Sequence, residues 1–168
     1  MANNKEYGII GVAGTKYLSQ SGRWWDKPKK MYGRVQHTSE GKSWLSSYSG
    51  DLGHDIEETV LVDGLFFAVD KTKIKKTFKE DVEGFHFYDV TFCFENFLEG
   101  VKIGICTDIR VTHLSIGQTN EKWEENREKF SNKYESFLPV DISLKDKELK
   151  TFIFIHDQNL VKSFEENG

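Results

Sequence analysis

Apolar residues in this chain come in short runs, and their period changes along it. YGIIGV, Tyr7 to Val12, is an apolar run of strand length, punctuated by Gly8, Gly11 and Gly14 and ending in a turn. EETVLVDGLFFAVD, Glu57 to Asp70, is dense in Val, Leu and Phe and broken by Asp63-Gly64, which predicts one or two strands interrupted at a special backbone position. The period then lengthens. Val90, Cys93, Phe94, Phe97 and Leu98 recur at i, i+3, i+4, i+7 and i+8, which predicts a helix with one apolar face, capped at its end by Gly100. A strand is expected over Val101 to Leu114. After it, Trp123, Arg127, Phe130, Tyr134 and Phe137 share a stripe, which predicts a polar helix from Asn120 to about Phe137. Asn120 or Thr119 is its N-cap and Pro139 lies beyond its end.

Two stretches lack such a period. Trp24 to Asp55 is rich in Gly, Ser, Lys and Tyr and reads as a long surface excursion, of the kind that often carries function. At the other end, KTFIFIHDQNLVKSFEENG holds a strand-like TFIFIH and the opening of a helix, which reads as the start of a further unit cut short. No internal repeat or low-complexity tract is present.

Composition narrows the class. At 168 residues, 38% hydrophobic and with 13 Phe, the chain can bury a core and is globular. A formal charge of −4 gives no global attraction to nucleic acid or to an anionic membrane. KPKK at 27–30 and KTKIKK at 71–76 are local basic clusters, read as solvated surface or as contacts to a phosphate-bearing ligand. Cys93 and Cys106 lack C-x-x-C spacing and sit among apolar neighbours, so reduced thiols and a cytoplasmic location are expected. No run approaches the roughly 18 apolar residues of a membrane span, and the opening MANNKEYGII has no signal-peptide core.

The candidate chemistry is concentrated in GFHFYDVTFCFENFLEG, where His86, Tyr88 and Asp89 stand at the mouth of the predicted helix. A carboxylate there is either a helix N-cap or a base that accepts a proton from an attacking hydroxyl. The helix dipole lowers its pKa, and apolar surface from Phe85 and Phe87 would oppose that. His113 closes a strand in VTHLSIG and reads as an ordinary hydrogen-bonded His or as a ligand oriented through its second nitrogen. Trp24 and Trp25 are adjacent, so they cannot share one narrow stripe, and one of them can face a groove and stack on a sugar or a base. His54-Asp55 is a weak hint of a metal hydrolase without the further histidines such a site needs. The glycines Gly8, Gly11 and Gly14 are spaced G-x-x-G-x-x-G, not G-x-G-x-x-G, and no helical period follows, so they do not read as a dinucleotide site.

Taken in order, VDGLFFAVDK (Val62 to Lys71), FKE (Phe78 to Glu80), FHFYDVTFCFE (Phe85 to Glu95), Gly100 and THLSIG (Thr112 to Gly117) resemble the glycosyltransferase family two, in its bacterial glycosyltransferase-like branch. The likeness runs from about Gly8 to Tyr134. It implies an α/β fold of GT-A type, a mixed sheet flanked by helices, here without the N-terminal nucleotide-binding half. Residues 1–140 would be the C-terminal, acceptor-side part of that domain, and 141–168 a linker and the start of a truncated strand-helix unit.

The resemblance also implies roles. Asp89 takes the place of the general base and His113 that of a late histidine near the metal or diphosphate. Asp63 and Gly64 would lie against the donor sugar, Trp24 and Trp25 in the acceptor region, with His86 and Tyr88 orienting the sugar or the base. The implied reaction is inverting transfer from a nucleotide-sugar donor to a glycan or glycoprotein acceptor, assisted by Mn or Mg in the complete enzyme. Two departures stand out: Thr91 occupies the place of a second acid, and no two aspartates in the sequence are separated by one residue, so there is no D-x-D pair to bind metal and diphosphate. That departure supports an alternative, a non-catalytic glycan- or protein-binding module on the same fold. Donor, linkage and homo-oligomerisation are left open by the sequence.

Overall fold

A computed structural model describes residues 6–48, 56–78, 86–114 and 119–143. The expectations for His54-Asp55, Phe85, Ser115 to Gly117 and the stretch 144–168 therefore lie outside the described residues. Among the described residues, three small sheets and two α-helices make a mixed α/β architecture.

The first sheet has the order β6-β9-β1-β8, from Ile56–Thr59, Lys102–Cys106, Tyr7–Gly11 and Phe67–Val69. β1 and β9 are parallel, and both outer strands are antiparallel to their neighbours. The second sheet runs β10-β4-β2-β7, from Val111–His113, Met31–Ser39, Ala13–Thr15 and Leu61–Val62, with β5 (Lys42–Ser47) added to β4. A two-stranded pair joins β3 (Tyr17–Leu18) to β11 (Val140–Asp141). Helix α1 spans Tyr88–Leu98 and packs on β7 and β9; α2 spans Glu121–Lys133.

Several expectations are corrected. The stretch taken as an excursion holds a long hairpin, β4 and β5, whose inward face is Met31, Gly33 and Val35 at period two. Tyr32 and Arg34 alternate with them and hide that period from a composition-based reading. Val101 to Leu114 is two strands in different sheets, split at residues 107–110. Glu57 to Asp70 holds three short strands, because the chain passes from one sheet to the other at Val60 before it turns at 63–66. Gly14 explains that crossing: a Cβ there would lie 2.2 Å from the Leu61 carbonyl oxygen, so only glycine lets β2 and β7 meet.

The predicted helices are present, with shifted ends. α2 begins where expected, since the Asn120 side chain accepts a hydrogen bond from the Trp123 N–H at 2.9 Å. It stops at Lys133, and Glu135–Phe137 forms a separate 3-10 turn. Gly100 follows α1 with a φ of +78°, and its N–H donates to the Phe97 carbonyl. The apolar face of α1 is wider than its period suggests: every residue from Val90 to Asn96 is buried, whereas Leu98 is exposed. Phe94 meets Phe130 of α2 and Tyr134 just beyond its end, and Phe92 meets Phe67 and Phe78. The helix is thus wedged between α2 and the sheets.

Asn96 fastens the 71–78 segment to this wedge. It is fully buried, accepts from the N–H groups of Lys75 and Lys76, and donates to the carbonyls of Lys76 and Phe92. Asn96→Ala removes every side-chain partner in this set at once, so denaturant unfolding should show a loss of about 2 kcal/mol. The basic clusters lie at the surface: Lys73 pairs with Asp70, Lys76 with Glu99 and Lys30 with Asp141. Both cysteines are free thiols. Among the described residues, no helix is long and apolar enough to cross a membrane.

Candidate functional site

Asp89 is not the cap of α1. The cap position is Phe87, held at φ +64°, and Asp89 sits in the first turn with its carboxylate reaching across to a different segment. Oδ2 accepts from the Gly64 N–H at 2.7 Å and Oδ1 from the Val90 N–H at 2.8 Å. Tyr88 completes the link, its hydroxyl donating to the Gly64 carbonyl at 3.1 Å. Asp63 is fixed beside them, because its N–H donates to the Ala13 carbonyl and its Oδ1 accepts from the Leu65 N–H at 2.9 Å. The interruption in VDGLFF is therefore the turn that delivers Asp63 and Gly64 to the start of α1.

Gly64 has no room for a side chain. A Cβ there would sit 2.3 Å from the Tyr88 hydroxyl and 3.0 Å from Asp89 Oδ2. Gly64→Ala should displace the phenol and weaken the 2.7 Å bond, costing about 1–3 kcal/mol in chemical denaturation. It should also raise the Asp89 pKa further, since the Gly64 N–H is among the groups that hold it down.

The electrostatics of the cluster run against the helix dipole. Burial, followed by repulsion from Asp63, pushes the Asp89 pKa from 3.8 up to about 6, in spite of the N–H groups of Gly64 and Val90. Burial also raises Asp63, opposed by the Leu65 N–H and by His113 and His37. The Tyr88 phenol is raised by burial and then by both carboxylates. Burial pushes the Cys93 thiol up as well, and its Sγ faces the Val62 carbonyl at 3.8 Å. That thiol is an inert core group.

His113 lies on β10 of the second sheet, and Asp63 feels its charge. β10 lies parallel to β4 with His113 opposite His37, and the two rings are 5.6 Å apart. His37 in turn stacks on Trp44, its partner on β5, at 5.3 Å. Asp63 feels both imidazoles and is felt by Asp89, so it lies within electrostatic reach of the two groups that the sequence singled out. His37 was missed by sequence reading. Its signal was position: residues 31, 33, 35 and 37 share one face of β4, and His37 continues an inward-facing series. Its Nδ1 is buried and has no partner among the described residues.

The remaining candidates are placed apart from this centre. The carbonyl of His86 accepts from Asn126 of α2 at 3.1 Å, which ties the entry of α1 to α2. Trp24 is 8% exposed and belongs to the core, while Trp25 is 37% exposed. Trp25 meets Trp123, and Trp123 meets Phe87, at ring distances of 5.5 and 5.2 Å. Among the described residues, no three His, Cys, Asp or Glu side chains come close enough to hold a metal ion.

Chemically, this is a carboxylate held in place at both oxygens, with its pKa pushed up to about 6, and repelled by a second carboxylate that in turn feels two imidazoles. It suits proton abstraction from a weakly acidic hydroxyl. Residues 1–134 match a sequence model described as a glycosyltransferase-like family. No curated protein matches the chain.

Proposed function

Since the chain belongs to this glycosyltransferase-like family, we propose that it carries the acceptor side and the general base of an inverting sugar transfer from a nucleotide-activated donor, on a domain of GT-A type. The observation that carries this reading is Asp89: both oxygens are fixed by backbone N–H groups, yet its pKa stands near 6. A base of that strength is ionised at neutral pH and strong enough to take a proton as the acceptor oxygen becomes bonded.

In this scheme the acceptor hydroxyl gives its proton to Asp89 while its oxygen forms a bond to the anomeric carbon from the face opposite the leaving group. The bond from that carbon to the diphosphate oxygen breaks, and its electron pair leaves with the nucleoside diphosphate. Asp63 and Gly64 border the donor sugar. Tyr88 holds the Gly64 turn through its hydroxyl, and His86 flanks the acceptor at the entry of α1. Among the described residues, no three His, Cys, Asp or Glu side chains could hold a divalent ion by themselves. His113 would be one donor to Mn or Mg, a hard cation that would offset the charge developing on the leaving diphosphate. The free thiols support a reducing compartment such as the cytoplasm.

The missing D-x-D favours a second reading, a binding module for a glycan or a protein. The test joins residues 1–168 to a D-x-D-bearing nucleotide-binding half and follows transfer from nucleotide-sugars with Mn or Mg, reading the product anomer by NMR. Transfer with an inverted anomeric centre supports the first reading. Glycan binding without any transfer supports the second.

A further inference from the structure

The segment Arg23 to Asp26 and the first turn of α2 enclose a cleft of about 360 Å³, lined by Arg23, Trp25, Asp26, Asn120, Trp123 and Glu124. We propose that this cleft is a second sugar subsite, which holds a neutral hexose or N-acetylhexosamine unit of an oligosaccharide acceptor, next to the unit that reacts. The acceptor assignment rests on the sugar-transfer reading above; the subsite itself rests on the following geometry.

The indole of Trp25 is held open. Trp123 supports it at 5.5 Å with a 31° tilt, and Trp24 meets it edge-on at 5.8 Å and 77°. Trp24 and Trp123 are each only 8% exposed, so two buried indoles fix a third that remains 37% exposed. A large aromatic surface presented to water on a rigid support is costly unless something covers it, and the C–H face of a pyranose is a good cover. The cleft volume falls toward the lower end of small-ligand sites, about 300–1,000 Å³.

Its polar groups are oriented before any ligand arrives. Arg23 Nη2 lies 3.3 Å from Glu124 Oε2, and Arg127 Nη2 lies 2.6 Å from Glu124 Oε1. Arg127 also donates to the Ser21 carbonyl at 2.8 Å, and Asp26 Oδ2 accepts from the Ser21 hydroxyl at 3.0 Å. The lining itself thus holds one guanidinium, Arg23, against two carboxylates, Asp26 and Glu124, with Arg127 bracing Glu124 from outside it. That balance disfavours an anionic ligand, while planar, bidentate groups beside an indole suit vicinal hydroxyls. The cleft is joined to the start of α1 through the core: the ring of Phe87, 5.2 Å from Trp123, belongs to the residue two positions before Asp89.

The test needs no turnover, so its failure is separate from failure of the transfer reading. Chain 1–168 is titrated with lactose, maltose and N,N′-diacetylchitobiose by calorimetry, and saturation-transfer NMR identifies the sugar protons that touch aromatic rings. At least one disaccharide should bind saturably, with its ring C–H protons receiving the strongest transfer. Trp25→Ala should weaken that binding about tenfold or more, and Asp26→Asn, which leaves the indoles in place, should weaken it too. Binding by none of the three disaccharides, or binding unchanged in both variants, would overturn the proposal.

Discussion

Asp89→Asn should lower sugar transfer by about a hundredfold to ten-thousandfold, the range expected when a positioned general base is lost. The same substitution should not weaken the fold at neutral pH. Keeping Asp89 ionised in its site is unfavourable: a pKa raised from 3.8 to about 6 corresponds to about 3 kcal/mol between its two protonation states. The sign follows from proton uptake. Between pH 3.8 and about 6 the folded chain binds more protons at this position than the unfolded chain, so the contribution of Asp89 to stability is greatest below 3.8 and is lost as pH rises through 6. Asn carries no charge and escapes that loss, although its amide satisfies only one of the two N–H donors. Thermal unfolding at pH 7 should therefore place the Asn variant at or above the parent, with the gap closing as the pH falls toward 4. Transfer undiminished in the variant would remove Asp89 from the mechanism.

Position 89 also shows what a sequence can and cannot convey. A carboxylate at a helix start was legible, as were the helix behind it, the Asn120 cap and the break at Asp63-Gly64, because each is a local signal of period, capping or turn chemistry. The contact between Gly64 and Asp89 was not legible, since it is a hydrogen bond across 25 positions made by two elements from different parts of the fold. Burial raises the Asp89 pKa, the direction expected of apolar surface, but the charge that adds to it, Asp63, comes from that distant turn.

His37 and Trp25 illustrate two further limits. His37 was hidden inside a stretch with no obvious period, and only the parallel pairing of β10 on β4 sets it opposite His113. Parallel neighbours far apart in sequence leave no local trace. The adjacent tryptophans left room for one to face a groove, and α2 separates them: Trp123 props Trp25 at the surface, while Trp24 joins the core. The stripe that predicts α2 packs on Phe94 through Phe130 and Tyr134, whereas Trp123, at its N-terminal end, lines a polar cleft.

Asp63→Asn should move the acid limb of the pH–rate profile to lower pH. Asp63 raises the Asp89 pKa by repulsion, second only to burial, so a neutral amide at position 63 lets Asp89 lose its proton more readily. Transfer requires ionised Asp89, hence kcat/KM in the parent should rise with pH up to about 6 and level off above it. At pH 5 a base of pKa about 6 is only roughly one-tenth ionised, so the variant can gain at most about tenfold at pH 5 relative to its own rate at pH 7. The ratio is the decisive quantity, because Asp63 also borders the donor sugar in the proposed mechanism and its loss lowers the absolute rate at every pH. His113 and His37 both favour the ionised form of Asp63, so once either imidazole is replaced by Gln, Asp63 holds its proton to higher pH and its repulsion of Asp89 weakens. A limb that stays near pH 6 in Asp63→Asn would mean that burial alone sets the base strength and that the two carboxylates act independently.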